Sequence, residues 1–344
     1  MPDNRTSIKA GGAPPALATS SDLARTEETP NPMRIAVLGG AGAMGGIFGG
    51  WLQRSGNDVV LVDVSKEAVR AINEAGILIE EKDGGQSRIS VPATDDPKLV
   101  GAVDLIMNFV KCYHTEVAVG AATPMLGPET TVLTLQNGWG NADRIAGIVG
   151  PDRVLVGLTY HSGTLFGPGR VKHPGVGMTY VGELDGRETP RLRRIVMELR
   201  RAGFETTVTP KILDEVWKKL ALNACTLPTA ALLRFFAHEL ELYEGAREVM
   251  AAILREVVAV AKAQGMALDY DERWEVIVSL LKRAVGGKPS MLQDVEASRR
   301  TEIDVINGAI VRAGRSAGIP TPVNETMVAM IDALQAKYLA AQAA

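Results

Sequence analysis

Arg34-Ile-Ala-Val-Leu-Gly-Gly-Ala-Gly-Ala-Met-Gly45 is the stretch on which the fold turns. Ile35 to Leu38 form a short apolar run that reads as a buried strand. Gly40, Gly42 and Gly45 then give G-x-G-x-x-G where the pattern changes to a helix, with Ala41, Ala43 and Met44 between them. The three glycines serve distinct physical ends, namely a tight turn, room for backbone to approach a pyrophosphate, and close helix-on-strand packing. The helix start adds unpaired N–H groups and the positive end of a dipole. Glycines also end strands for purely structural reasons, so the spacing alone is a weak signal. A strand before, a helix after and an acid downstream together predict a dinucleotide site.

That acid is Asp63, closing the second strand-like run Asn57-Asp-Val-Val-Leu-Val-Asp63. It stands roughly twenty residues beyond Gly40, where the fingerprint expects a carboxylate on the adenosine ribose. A carboxylate there repels the extra phosphate of NADP and argues for NADH; Lys66 nearby offers such a phosphate a counter-charge. The plainer alternative is an exposed strand-end Asp that opens the next helix.

At 344 residues the chain has material for two domains, and a net charge of −3 of mixed sign leaves no footprint for nucleic acid. Cys112 and Cys225 form no disulfide framework and no C-x-x-C, which fits a reducing cytoplasm. His114, His161, His173 and His238 are scattered, so no metal site is expected. No apolar run reaches the ~18 residues of a membrane span. Residues 1–32 are rich in Ala, Gly, Pro, Ser and Thr without apolar period, and read as a disordered tail rather than a secretory signal.

From 33 to about 145, strand-like runs at 34–38, 59–63, 104–110 and 131–135 alternate with helical stretches, predicting a parallel sheet with crossover helices. Gly-punctuated β segments follow (Val154–Tyr160, Gly177–Gly182), then a helix over Pro190–Arg201 and a strand over Glu205–Val208. Beyond Ile212 the chain reads as helix at 213–234, 241–264, 269–285, 294–317 and 323–342. The expected fold class is α/β: a doubly wound, mostly parallel Rossmann domain (33–208), then an all-α domain (209–340). Such a pairing places a cleft outside the carboxyl ends of the strands, where nicotinamide and substrate meet.

Lys219 and Asn223, in Glu215-Val-Trp-Lys-Lys-Leu-Ala-Leu-Asn223, are i and i+4 and share a helix face. A lysine aimed into a cleft can protonate a developing alkoxide, and Asn223 can position it or the substrate. A solvated Lys-Lys pair is the structural alternative. Asn137, in Gln136-Asn137-Gly138, follows the strand that ends at Leu135 and can reach nicotinamide or substrate, though Asn-Gly alone marks a turn. Lys111 ends the run 104–110, where its ammonium can reach cofactor or simply meet water. Ser290 with Gln293 fits a capping box. One helix from Ser290 would carry Glu302 ~18 Å along its axis. If both residues touch one ligand, 286–293 must be a loop and the helix starts near Asp294.

Taken together, these motifs resemble ketopantoate reductases (2-dehydropantoate 2-reductases) over roughly 33–335. The match rests on Gly40–Gly45, Lys111, Gln136–Gly138, Trp217-x-Lys219-Leu-x-x-Asn223, Ser290–Asp294 and Thr301-Glu-Ile-Asp304 with Asn307-Gly308. The resemblance implies NAD(P)H-dependent reduction of ketopantoate, or a similar branched 2-keto acid, to the 2-hydroxy acid, a step toward pantothenate and coenzyme A. It implies Lys219 as general acid, Glu302 on the substrate hydroxyl, and Asn137, Asn223 and Ser290 around the keto acid. Lys111 and the glycine loop would hold the cofactor, usually NADPH in this family. Two departures stand out. Asp63 sits where an Arg is often found, and Gly287 then Lys288 where a substrate-binding Asn can occur; Lys288 offers a carboxylate contact instead. A related β-hydroxyacid or opine-type dehydrogenase, and a non-catalytic dinucleotide sensor, are the alternatives. Apolar stretches such as Ala251–Ala261 suit a homodimer interface or an internal core.

Overall fold

The computed structural model describes residues 31–343; the expected disordered tail, 1–32, lies almost wholly outside them. The chain opens with β1 (Arg34–Leu38), α1 (Ala43–Arg54), β2 (Asp58–Val62) and α2 (Lys66–Ala75). A hairpin of β3 (Ile77–Glu81) and β4 (Gln86–Ile89) follows, then β5 (Ala93–Thr94), β6 (Val103–Asn108), α3 (Thr115–Ala121), β7 (Leu126–Thr134), α4 (Asn141–Val149) and β8 (Val154–Thr159). Next come β9 (Ser162–Gly167), β10 (Arg170–Gly175), β11 (Thr179–Glu183), α5 (Pro190–Arg201) and β12 (Thr206–Val208). The remainder is helical: α6 (Ile212–Leu233), α7 (Glu244–Ala263), α8 (Tyr270–Arg283), α9 (Ser290–Glu296), α10 (Asn307–Ala317) and α11 (Pro322–Ala343).

Among the described residues, eight strands form one sheet in the order β12-β11-β8-β7-β6-β1-β2-β5. All pairings are parallel except β11 with β8. β1 lies between β2 and β6, so the strand order reverses at its carboxyl end, and a crevice opens there. Ile35, Val37 and Leu61 are fully buried because both faces of this sheet are covered. The helix α1 packs closely enough that a Cβ on Gly49 would meet Leu61 Cδ2 at 2.4 Å.

The Gly-punctuated middle segment contains a second sheet, β4-β3-β10-β9, in which β10 pairs parallel with β3. Trp51 from α1 packs edge-on to the buried His173 of β10. The helical part has its own core, built around Trp217, Met250, Leu254, Val257 and Ile310.

Two expectations are corrected. A continuous helix over 294–317 does not form: α9 ends at Glu296, Ser298 takes a left-handed φ of 53°, and α10 starts only at Asn307. Nor is 286–293 a loop before a helix at Asp294, because α9 begins at Ser290 with Pro289 as its N-cap. Chain reversal after a short helix, which neither alternative included, brings Glu302 back toward the sheet.

Candidate active site

The glycine loop is held from two sides. Gly39 N–H donates to the carbonyl of Val62 at 2.9 Å, and Ala41 N–H donates to Asp63 Oδ2 at 3.1 Å. Asp63 stands just past β2 and also accepts from Ser65 N–H, so its carboxylate tethers the loop. A Cβ on Gly45 would lie 2.2 Å from the carbonyl oxygen of Gly39, which makes glycine obligatory there. At Gly42 a Cβ would meet only that same oxygen, at 3.1 Å. The first turn of α1 has no side-chain cap and no acidic residue. Among the described residues the N–H groups of Ala43, Met44 and Gly45 have no protein acceptor. Open N–H groups, a bare backbone and a nearby carboxylate fit a dinucleotide pyrophosphate and ribose. Lys66, by contrast, is drawn to Asp95 at 3.8 Å.

The second half of the site joins the sheet to the helical part. Lys219, midway along α6, donates at 2.8 Å to Asn137 Oδ1 and at 2.8 Å to the carbonyl of Thr159 at the end of β8. An ammonium has three donors; two are spent, and among the described residues no acceptor takes the third. Removal from water lowers the Lys219 pKa to about 8, with Glu302 pulling the other way. Asn223, one turn on, is buried, and its side-chain amide makes no hydrogen bond to the described protein. Lys219, Asn223, Asn137, Leu158, Val216 and Leu220 line a crevice of only about 10 Å³, so a substrate must part these side chains to enter. A larger crevice of about 280 Å³, lined by Tyr113, Arg144, Arg300 and Asp304, contains none of them.

Glu302 is 7% exposed and fully engaged. Oε1 accepts from Cys112 N–H at 3.4 Å, and Oε2 accepts from Asn137 Nδ2 at 3.4 Å and lies 3.6 Å from Lys111 Nζ. Lys111 also bonds Asp294 Oδ2 at 2.8 Å, and Asp294 holds Arg299 at 3.1 Å. Burial opposes the charge on Lys111, but Glu302 and Asp294 outweigh it and raise its pKa above the ordinary lysine value. The same burial, reinforced by Glu302, pushes the Cys112 thiol up to about 12, so this cysteine is no nucleophile.

Lys219, Asn223, Asn137, Glu302 and Lys111 are thus brought together, although the contacts of Lys111 are with Asp294 and Glu302 and not with the glycine loop. Ser290 sits one turn before Asp294 on the same side of α9, its hydroxyl without a protein partner among the described residues. The capping-box reading of Ser290 and Gln293 does not hold, since Gln293 Nε2 donates instead to the carbonyl of Lys288. Lys288 turns outward to Glu296 at 2.7 Å. Sequence reasoning missed the Thr159 carbonyl, a backbone group with no side-chain signature. It noted Asp294 only as a helix start, although an acid four residues after Ser290 was the available signal.

The ketopantoate reductase PanE/ApbA model matches residues 35–186, and the model of its C-terminal part matches 211–335. The chain belongs to the ketopantoate reductase family. Similar relatives include the 2-dehydropantoate 2-reductase of Halobacterium salinarum, 32% identical over 87% of this chain and 98% of that protein. That of Streptococcus pyogenes serotype M6 is 30% identical over 88% and 98%. Among solved structures, D-mandelate dehydrogenase with NADH and anilino(oxo)acetate aligns with a TM-score of 0.83 at 30% identity, covering 89% of this chain and 99% of that one. The family ketopantoate reductase from Ralstonia eutropha JMP134 aligns at 0.82 and 30%, covering 89% and 100%. Membership accounts for the mostly parallel sheet followed by helices, and makes the chain a nicotinamide-dependent oxidoreductase. No helix among the described residues is long and apolar enough to cross a membrane.

Proposed function

We propose that this chain reduces ketopantoate, or a similar branched 2-keto acid, to the 2-hydroxy acid with a reduced nicotinamide dinucleotide. The observation that carries the reading is the Lys219 ammonium, fixed by two acceptors with its third N–H unspent beside the free amide of Asn223. A reduced nicotinamide, when bound at the glycine loop, would supply the hydride that the carbonyl carbon takes. Lys219 holds the proton that the resulting alkoxide needs, and its lowered pKa makes release easier at neutral pH. Asn137 orients Lys219, and Glu302 keeps the Asn137 amide turned the right way. Asn223 and Ser290 present donors to the carboxylate; the glycine loop, Ala41 to Gly45, takes the pyrophosphate. Lys111 steadies Glu302 together with Asp294, and Lys288 serves at most as a distant positive charge at the rim.

Asp63 supports NADH over NADPH, since its carboxylate lies at the loop where a 2′-phosphate would be repelled. The D-mandelate dehydrogenase among the structural relatives is bound to NADH. A two-part organisation (33–208 for nucleotide, 209–340 for substrate and a homodimer contact) and a cytoplasmic setting complete the reading. Initial rates with ketopantoate and each reduced nicotinamide in turn, with the product identified by mass, test it. Absence of oxidation with any 2-keto acid would sink it.

A further inference from the structure

A 2-keto acid brings three features to the cleft: a keto oxygen, a carboxylate and a side chain. The donors and acceptors of the site determine what is left for the third. The unspent N–H of Lys219 serves the keto oxygen. The free amide of Asn223 and the free hydroxyl of Ser290 serve the carboxylate.

Most other polar side chains around the crevice are committed; among the described residues the buried Oδ1 of Asn141, on the Asn137 side, has no partner. Gln136 accepts from Asn108 at 2.9 Å and Thr134 at 3.0 Å, and donates to the Val110 carbonyl at 2.6 Å and Thr115 at 2.8 Å. Both polar atoms of the Asn137 amide and both oxygens of Glu302 are already engaged, as described. One turn beyond Asn223 on the same face of α6 stands Leu227, 8% exposed. The hydroxyls of Thr226 and Thr229 donate back to the Leu222 and Cys225 carbonyls of their own helix, at 2.8 and 2.7 Å. On the approach to Ser290, Gly286, Gly287 and Pro289 carry no polar side chain, and the Lys288 ammonium is held by Glu296. The Tyr160 ring lies 6.0 Å from Lys219 Nζ, two turns of α6 before Leu227, so its phenol, which has no protein partner among the described residues, belongs to the Lys219 end of the cleft.

From this we infer, resting on the proposed function above, that the side-chain end of the cleft is an apolar subsite with Leu227 as its floor. It selects branched 2-keto acids without a side-chain hydroxyl over ketopantoate itself. A hydroxyl entering such a subsite loses its water partners and gains none. An apolar pocket rejects an added hydroxyl by roughly ten- to a hundredfold.

The test uses the whole chain and a matched substrate pair, ketopantoate and 3,3-dimethyl-2-oxobutanoate, which differ only by that hydroxyl. The expected kcat/KM favours the compound without it by about tenfold or more. Leu227→Asn is expected to narrow or invert the ratio while nucleotide affinity stays unchanged. Equal rates, or a preference for ketopantoate in the unmodified chain, would overturn the inference while leaving the reductase reading intact, whatever the variant does. A folded Leu227→Asn with the ratio unmoved would overturn the role of Leu227. If neither compound is reduced and other 2-keto acids also fail, the proposed function falls first.

Discussion

The ammonium of Lys219 lies 2.8 Å from the amide oxygen of Asn137, and the nitrogen of the same amide reaches Glu302 at 3.4 Å. One asparagine therefore couples a half-buried cation on α6 to a buried anion on the far side of the cleft. The two partners settle the amide orientation, since only its oxygen can accept from an ammonium and only its nitrogen can donate to a carboxylate. Asn137 is in turn carried by a tight turn: a Cβ on Gly138, at φ +90°, would meet the Val305 carbonyl oxygen at 2.5 Å. The helical part thus fixes the turn that aims the proton donor.

Lys219 must be protonated to act as an acid, and burial has lowered its pKa to about 8. Keto acid reduction should therefore hold its rate below that pH and fall as pH rises through about 8. Asn137→Asp would place a carboxylate on the ammonium and move this basic limb upward. Lys219→Ala should lower kcat by about 10²- to 10⁴-fold with nucleotide affinity nearly unchanged. The pH profile of kcat/KM and nucleotide titration of the variant check both, and an unchanged profile in Asn137→Asp would separate Lys219 from the observed ionisation.

Asp63→Asn removes a charge while keeping an acceptor for the Ala41 N–H. The loop should stay in place, and kcat/KM for NADPH relative to NADH should rise about tenfold, the effect of roughly 1.4 kcal/mol of relieved repulsion. Ratios measured with the same keto acid decide it; a drop in both by the same factor would mean that Asp63 only tethers the loop.

Lys111 neutralises two carboxylates, Asp294 and Glu302, that are 3% and 7% exposed. Lys111→Met takes from Glu302 its ion-paired cation and leaves Asp294 with Arg299 alone. Removing one partner of a buried ionic set costs ~3 kcal/mol or more; Lys111 is partly solvent-exposed, so the loss should fall at or below the low end. Lys111→Met/Asp294→Asn should recover part of it. Urea unfolding of both variants measures the difference, and equal losses would show that Lys111 and Asp294 are not coupled.

The glycine loop and the strands flanking it were legible because each is local: apolar runs, a glycine spacing and an acid at a fixed offset. The Lys219–Asn223 helix was legible for the same reason. The sheet of β3, β4, β9 and β10 was not, because its strands are short and partly exposed, and Leu78 pairs with Arg170 across a long stretch of chain. The break after Glu296 escaped notice since Ser298, not Gly or Pro, takes the left-handed turn, while apolar spacing continues across it. Asn137 and Glu302 were each found singly; their contact spans 165 residues and leaves no local periodicity.

His161 and His173 give a prediction about stability. Nδ1 of His161 and Nε2 of His173 are 2.8 Å apart, their rings stacked on each other with Phe48 and Phe204 edge-on to His161, and His161 Nε2 is buried without a partner. One proton lies between the two nitrogens, and a further proton on the pair would bring a positive charge into a buried site, which the fold disfavours. Burial first, and His173 second, lower the His161 pKa to about 4. An unfolded histidine titrates near 6.5. Above that pH neither state binds the extra proton and the pair's full contribution is present. Between about 6.5 and 4 only the unfolded state takes it up, so the contribution drains away as pH falls, by on the order of 3 kcal/mol for His161. The urea midpoint should drop between pH 7.5 and 4.5, and His161→Phe/His173→Leu should flatten much of that slope. A double variant with the slope of the parent would place the acid sensitivity elsewhere.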